Sequence, residues 1–209
     1  MKVLIFGASG RIGKYVLSGT YRKGNKIKVF TRSKEKFDHI HNPFIEVIEG
    51  DVCKFSDVLY AMKDVGAVIC LIGDGRKGKV RAKGTENIVK AMQISNVNRL
   101  VCLSTLGLAE SWENLNFFWR HIMFGLFLKK TFLDHKEQEQ YIFESGLDFT
   151  VIRPSAFTDR EDLKGNIKIG FGPEMKNLML KVPKDILAEF IVEQLETDKY
   201  LGKSVSISY

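Results

Sequence analysis

Near its N-terminus the chain reads VLIFGASGRIG, residues 3–13. The first four of these residues are apolar, which is typical of a strand that is covered on both faces. Three glycines follow, Gly7, Gly10 and Gly13, and a helix-like segment comes directly after them. Glycine lets the backbone approach phosphate groups closely, and a helix N-terminus offers them free N–H groups. A glycine turn between a strand and a helix therefore predicts a binding site for the phosphates of a dinucleotide.

Further apolar runs alternate with helix-like segments along the rest of the chain. The sequence predicts later strands at 27–31, 44–48, 67–72, 100–103 and 149–152, and a last edge strand at 204–208. It predicts helices at 11–23, 54–63, 81–96, 130–144 and 184–196. This alternation predicts one Rossmann-like α/β domain over residues 1–209, with a doubly wound, mostly parallel sheet and helices on both faces. Ligands of such folds bind at the carboxyl edge of the strands.

Composition limits the classes of partner. The chain has 209 residues, of which 44% are hydrophobic and 27% charged, as expected for a globular domain. Its net charge of +7 suits a polyanionic ligand, and the charge alone does not separate a dinucleotide from nucleic acid. Because no nucleic-acid reading motif is present, we expect no nucleic-acid partner.

Short patterns also predict what the chain lacks. The three cysteines have no metal-ligand spacing, and His39 and His41 have no carboxylate or cysteine beside them, so no metal site is expected. The longest apolar run, residues 122–128, is too short to span a bilayer, and no signal-peptide pattern is found. These patterns predict a soluble, cytoplasmic protein without a transmembrane segment.

The residue after the second strand bears on the choice of cofactor. Arg32 stands where NAD-dependent proteins usually have an acidic residue for the ribose 2′-hydroxyl, and arginine suits a 2′-phosphate. Arg11 in the turn adds a second cation and Ser33 a hydroxyl group. NADP(H) is therefore favoured over NAD(H), although a solvated arginine at a strand end is the alternative.

The other candidate cofactor contacts are residues of the glycine turn or follow later strands at the same edge. Those of the turn are Gly7, Ser9, Gly10, Arg11, Ile12 and Gly13. Those expected beside the adenine or along the cofactor are Asp51, Val52, Leu71, Ile72 and Gly73. Those expected near the nicotinamide are Ser104, Thr105, Pro154, Ser155 and Ala156. Each alone is compatible with an ordinary loop, but together they agree with a single pose of the cofactor.

Several motifs carry a resemblance to a known family. They are the turn at 7–13, Gly50-Asp51-Val52, SGLDFTVIRP at 145–154, DILA at 185–188 and YLGK at 200–203. With them, nearly the whole chain resembles the atypical short-chain dehydrogenase/reductase group with an NAD(P)H-binding domain, close to the NmrA-like proteins. The layout is similar to that of the biliverdin-IXβ reductase/flavin reductase type. The resemblance implies hydride transfer from NADPH to a flavin or tetrapyrrole.

The resemblance has one departure. The larger family uses a Tyr-x-x-x-Lys pair with a serine, and its pattern falls here on Thr131 and His135, with Ser104 at the serine position. Without the phenol and the ammonium, carbonyl reduction is in doubt, whereas flavin or quinone reduction does not need them. The candidate catalytic residues are Ser104 and His135, the latter as a proton donor near neutral pH or else as a solvated or helix-packing histidine.

Two further segments have open interpretations. An aromatic-rich stretch at 106–130 is expected to form a substrate or lid segment, with Trp112 and Phe117 as candidate contacts to a flat acceptor. The alternatives are packing on the core or on a partner subunit and, less favoured, a membrane-surface role. The basic run Arg76, Lys77, Lys79, Arg81 and Lys83 is interpreted first as a solvated face. Because the run follows the fourth strand, the alternative is that it overhangs the cofactor or the acceptor.

Two functions follow from these observations. The leading hypothesis is an NADPH-dependent reductase that passes hydride to a flavin, quinone or similar small conjugated acceptor. The alternative is a non-catalytic NADP(H) sensor that binds a protein partner through the basic run and the aromatic segment.

Overall fold

The computed structural model describes residues 1–73, 77–159 and 166–209. The strands are β1 (Lys2–Phe6), β2 (Lys26–Thr31), β3 (Ile45–Glu49), β4 (Ala67–Cys70), β5 (Arg99–Leu103), β6 (Asp148–Pro154), β7 (Ala156–Thr158), β8 (Lys168–Ile169), β9 (Lys181–Pro183) and β10 (Lys203–Ser208). The α-helices are α1 (Gly13–Arg22), α2 (Phe55–Ala61), α3 (Arg81–Ile94), α4 (Lys129–Phe143) and α5 (Lys184–Glu193). Short 3₁₀ helices span Lys34–Phe37 and Ala109–Asn114, and a π-helix spans Phe118–Phe127. Among the described helices, none combines the length and the apolar character that a bilayer span requires.

The main sheet has eight strands in the order β3-β2-β1-β4-β5-β6-β10-β8. All neighbouring strands run parallel except β8, which pairs antiparallel with β10. The Rossmann-like fold predicted from the sequence is therefore confirmed. The expected edge strand at 204–208 is instead β10, which is interior because the two-residue strand β8 covers its outer side.

The two faces of the sheet are covered by different helices. In β1, Val3 and Ile5 belong to one apolar cluster and Leu4 and Phe6 to the other, as alternation along a strand requires. Helices α1 and α5 cover the first face, and α2, α3 and α4 cover the second. Because helices cover both faces of the sheet, the side chains on both faces are buried, and the strands are almost continuously apolar in sequence.

A third, smaller apolar cluster lies beyond the carboxyl edge of the sheet. Leu106, Leu115, Phe124 and Leu180 form its buried part. Phe124 belongs to the π-helix, so this cluster fixes the aromatic segment to the end of the sheet. The segment predicted to form a substrate or lid segment thus packs beside the carboxyl ends of β5 and β6.

Helix α4 carries buried polar side chains where an amphipathic helix would carry apolar ones. The most buried ion pair joins it to β6: the Arg153 guanidinium donates to both carboxylate oxygens of Glu139, at 2.9 and 2.7 Å. Arg153 is 2% exposed and Glu139 5% exposed in their side chains. Arg153 also donates to the exposed Glu110 at 2.7 Å. Bidentate pairing of this kind fixes the position of a helix closely.

We predict that Glu139→Gln destabilises the protein by about 3–5 kcal/mol, because it leaves the buried Arg153 guanidinium without its main counter-charge. Urea unfolding followed by circular dichroism measures this loss. Glu196→Gln is the matched control, since it removes one partner of the exposed Lys23–Glu196 pair and should leave the midpoint almost unchanged. Equal midpoints for the two variants would contradict the role given to Arg153 and Glu139.

Candidate functional site

A cavity of about 460 Å³ opens at the carboxyl edge of the sheet. Four loops border it, and each follows one of the central strands β1, β4, β5 and β6. The turn contributes residues 7 and 10–13, and the later loops contribute residues 71–73, 103–106 and 154–157. The rim positions that the sequence suggested on these four strands are therefore brought together, apart from Ser9, which does not line the cavity.

The backbone of the turn explains its glycines. Gly7 has a φ of +84°, and a Cβ on it would lie 2.5 Å from the carbonyl oxygen of Leu71. A Cβ on Gly13 would collide with the carbonyl oxygens of Gly7 and Ala8. Helix α1 begins at Gly13 without a side-chain cap and without an acidic residue in its first turn. Its first N–H groups are therefore available to an anion, as a pyrophosphate site requires.

Arg32 and Ser33 lie one strand away from the cavity, at the end of β2. Arg32 is exposed and forms no hydrogen bond or ion pair within the described parts of the chain. The Ser33 hydroxyl donates to Glu35 at 2.5 Å and holds the pKa of that carboxyl below its ordinary value. Arg32 is thus free to meet an anionic group, whereas the Ser33 proton is already in use.

Asp51 and Val52 lie outside the cavity, after the outer strand β3. The Asp51 carboxylate accepts a hydrogen bond from the Cys53 N–H at 2.9 Å. The carbonyl oxygen of the buried Val52 accepts one from the Asn87 amide at 2.9 Å. These bonds order the loop next to Arg32, where the adenosine end of a dinucleotide would lie in this fold.

Two buried hydroxyl groups in the cavity have no partner. The Oγ atoms of Ser104 and Ser155 make no hydrogen bond with any described residue, although the side chains are 4% and 7% exposed. Both residues line the cavity, and their backbone N–H groups donate to Ile152 and Ile207 in the sheet. Buried polar atoms are nearly always satisfied, so unpaired hydroxyls in a cavity indicate a ligand that satisfies them.

His135 lines the cavity as a neutral imidazole. Burial, together with the charge of Arg81, lowers the pKa of His135 to about 3. The Gln138 amide nitrogen donates to Thr85 Oγ1 at 3.1 Å, so its oxygen faces His135 Nδ1, also at 3.1 Å. An amide oxygen only accepts, so Nδ1 carries the proton and Nε2 a lone pair. At neutral pH His135 is therefore an acceptor at Nε2, and the imidazolium that would donate a proton is absent.

Arg81 lines the cavity, which agrees with the alternative interpretation of the basic run and not with the leading one, a solvated face. Its guanidinium lies over Gly73, where a Cβ would approach Nη2 to 2.6 Å, and its Nη1 is 3.7 Å from Asp134. Lys77, Lys79 and Lys83 of the same basic run are exposed, and Arg76 lies outside the described residues. In the sequence, Arg81 differs from the other cations of the run only in its place near the start of a predicted helix, since the approach to Gly73 depends on the fold.

The aromatic wall of the cavity uses other residues than those expected. Trp119, Phe124 and Leu128 line it, whereas Trp112 and Phe117 do not. Trp112 packs against Phe132 on the other side of the segment, with ring centroids 5.7 Å apart. Phe117 is 71% exposed and contacts His121. The other residues of the cavity that the sequence analysis did not name are Leu103, Leu106, Leu115, Phe157 and Leu180.

We predict a pH dependence of stability that comes from His135. Its folded pKa of about 3 lies below the ordinary value of 6.5, so the unfolded chain binds more protons and the free energy of unfolding falls as pH drops below 6.5. Between pH 6.5 and 5 this effect amounts to about 1.6 kcal/mol. Urea unfolding at both pH values should show this extra loss in the wild type but not in His135→Gln.

His39→Gln, which removes an exposed histidine, is the control for this measurement and should keep the wild-type behaviour. Parallel losses in the wild type and in His135→Gln would show that His135 is not held neutral in the folded protein.

Comparisons with known proteins agree with this geometry. A family model described as NAD(P)H-binding matches residues 7–198. An uncharacterised chloroplast protein of Arabidopsis thaliana, At2g34460, is 29% identical over 220 residues, which cover 99% of this chain and 76% of that protein. The chloroplast protein TIC 62 of Pisum sativum is 22% identical over 223 residues. That match covers 90% of this chain and 40% of TIC 62.

Solved structures share the fold over the whole chain. The oxidoreductase ylbE from Lactococcus lactis superposes with a TM-score of 0.82 at 25% identity, covering 100% of this chain and 90% of that one. ChuY, an anaerobilin reductase from Escherichia coli O157:H7, superposes with a TM-score of 0.81 at 19% identity, covering 100% and 97%. Because the family match covers residues 7–198, from the glycine turn through β4, β5 and β6, the chain belongs to the NAD(P)H-binding family.

Proposed function

We propose that the protein is an NADPH-dependent reductase whose acceptor is a flat conjugated molecule such as a flavin, a quinone or a tetrapyrrole. The observation that carries the proposal is the continuity of one cavity. It runs from the glycine turn, where phosphates would bind, to the apolar wall of Trp119 and Phe124. A cavity of this kind accommodates the nicotinamide half of a cofactor and a second ring beside it.

The residues of the turn and the rim fit a dinucleotide. The N–H groups at the start of α1 would bind the pyrophosphate, and Arg11 lines the same part of the cavity. Arg32 would contact the 2′-phosphate, and the loop at Asp51 would border the adenine. The unpaired hydroxyls of Ser104 and Ser155 would satisfy polar groups of the nicotinamide half.

The chain contributes position rather than acid–base chemistry. When bound, NADPH supplies a hydride from C4 of its nicotinamide. The protein holds the two rings in contact and excludes water through Leu106, Leu115 and the aromatic wall. At the positions that the family resemblance gives to the proton donor and its cation stand Thr131 and the neutral His135. An acceptor whose heteroatoms take a proton from water suits this site, while a ketone does not.

The neutral His135 would contribute to binding. Its Nε2 lone pair accepts a hydrogen bond, so it would bind a hydroxyl group of the nicotinamide ribose or of the acceptor. Asp134, the neighbouring residue, caps α3 through the N–H groups of Arg81 and Ala82 at 3.1 and 2.9 Å. Because Asp134 holds the start of α3 and His135 lines the cavity, these two neighbouring residues of α4 link Arg81 to the cavity wall.

NADPH oxidation at 340 nm tests the proposal most simply. The acceptors are FMN, riboflavin, quinones, tetrapyrroles and simple ketones, and NADH is run in parallel with NADPH. We expect turnover with at least one conjugated acceptor and none with the ketones. NADPH binding without turnover on any acceptor would contradict the proposal and favour the non-catalytic sensor.

Separate substitutions of two tryptophans test where the acceptor binds. Trp119→Leu should raise KM for the conjugated acceptor about tenfold, because it removes a stacking surface from the cavity. Trp112→Leu makes the same change outside the cavity and should leave KM near the wild-type value. Equal effects of the two substitutions on steady-state kinetics would place the acceptor elsewhere.

A charge reversal tests the cofactor preference. Arg32→Glu should weaken NADPH binding about ten- to a hundredfold and affect NADH much less, because a charged hydrogen bond to the 2′-phosphate is lost. Fluorescence titration with both nucleotides measures this. Arg22→Glu makes the same charge change at the far end of α1 and should bind NADPH like the wild type. Unchanged NADPH binding by Arg32→Glu would disprove the assignment of Arg32.

A further inference from the structure

The π-helix has an outer face that nothing in the described structure covers. Leu126 is 73% exposed, Phe127 60% and Phe118 51%. Phe117, just before the helix, and Leu133, one turn into α4, are also exposed apolar residues near it in the chain. We call Phe117, Phe118, Leu126, Phe127 and Leu133 the outer apolar patch. Single exposed apolar residues are common on protein surfaces. Five of them within seventeen residues indicate a surface that binds another molecule.

The stretch of chain that carries the outer apolar patch has only cationic charged residues. No acidic residue occurs from Asn114 to Leu133, while Lys129 and Lys130 follow the π-helix directly. Both lysines are exposed, and neither forms an ion pair within the described residues. Gly78 packs against Lys130, where a Cβ would lie 2.5 Å from the carbonyl oxygen, so exposed Lys77 is close by. The cation Arg120 is neutralised by Glu113 at 3.2 Å and adds little to this charge.

The winding of the helix separates its two faces. Its hydrogen bonds reach five residues back, as from the Leu128 N–H to the Met123 carbonyl at 2.7 Å. Residues four or five positions apart therefore share a face. Trp119, Phe124 and Leu128 turn inward and line the cavity. Phe118 and the Leu126–Phe127 pair turn outward, so the same helix is both a cavity wall and an exposed surface.

An exposed apolar helix face next to unpaired lysines is the pattern of a segment that lies in a membrane interface, with its apolar side chains among the acyl chains and its lysines at the headgroups. In a symmetric dimer through this face, the lysines of both copies would lie at one interface, and their like charges oppose association. We propose that the outer apolar patch, with Lys77, Lys129 and Lys130, docks the protein on the surface of a bilayer that contains anionic lipids. This docking requires neither turnover nor a bound cofactor, so it does not rest on the proposed reductase activity.

Vesicle sedimentation with the full chain tests the proposal. The vesicles contain either phosphatidylcholine alone or equal parts of phosphatidylcholine and phosphatidylglycerol. We expect binding to the mixed vesicles to be about tenfold tighter or more, and to weaken when salt is added, because the lysines are attracted to the anionic surface. Absence of binding to the mixed vesicles, or equal binding to both kinds, would overturn the proposal.

Two double variants separate the contributions of the patch. Leu126→Ser with Phe127→Ser should weaken binding to the mixed vesicles about tenfold or more, because two apolar side chains no longer insert. Lys129→Gln with Lys130→Gln should remove most of the preference for anionic lipid. The control is Tyr60→Ser with Ile94→Ser, which changes two equally exposed apolar residues on α2 and α3 and should bind like the wild type.

Near-ultraviolet circular dichroism and the melting temperature show whether each variant is folded, independently of activity. Sedimentation velocity distinguishes self-association from membrane docking. A wild-type dimer that becomes monomeric in Leu126→Ser with Phe127→Ser, without vesicle binding by either, would assign the patch to a second copy and overturn the membrane proposal. The proposal would also be overturned if Tyr60→Ser with Ile94→Ser weakened binding to the mixed vesicles as much as Leu126→Ser with Phe127→Ser does.

Discussion

The position of helix α4 depends on buried charges that must be paired. Glu139 holds the Arg153 guanidinium of β6, and Asp134 holds the first N–H groups of α3. A shift of the helix by one turn would leave these groups buried without partners, at a large cost in free energy. The register of α4 is therefore fixed more strongly than apolar packing alone would fix it.

The shape of the cavity depends on the fixed position of α4. The π-helix runs into α4 through Leu128, whose carbonyl oxygen accepts a hydrogen bond from the Phe132 N–H at 2.8 Å. Fixing α4 therefore also fixes the aromatic wall, and it places His135 at the cavity. The Gln138 and Thr85 side chains continue the network from His135 towards Cys70, whose sulfur lies 3.8 Å from Thr85 Oγ1. Buried networks of this kind hold a single arrangement when all their members are satisfied.

Much of the fold follows from the sequence because its signals are local. The strands of the parallel sheet are nearly continuous apolar runs, and the glycine turn has a backbone that only glycine adopts without collision. The strands β7, β8 and β9 escape prediction because two or three residues carry no periodic pattern. Helix α4 shows no clean apolar stripe in sequence because its buried face is polar, and partners from other elements make this burial possible.

The site is predictable to a smaller extent. The turn and the rim loops could be placed, since right-handed crossovers bring the ends of parallel strands to one edge. The inward orientation of Arg81 and the low pKa of His135 depend on Gly73, Asp134 and the burial of the helix pair. Trp119 faces the cavity because it lies in the π-helix, whereas Trp112 lies in the preceding 3₁₀ helix and packs against Phe132. None of these long-range facts is visible in a single run of residues.

A cationic rim at one end of the cavity and an apolar wall at the other would orient a dinucleotide in one direction only. A crystal structure of the complex with NADP⁺ would reveal this orientation. It should show the pyrophosphate at the N-terminus of α1, the 2′-phosphate at Arg32, and the nicotinamide beside Ser104 with one face open towards Trp119. A nicotinamide outside this cavity, or a 2′-phosphate directed away from Arg32, would contradict the account.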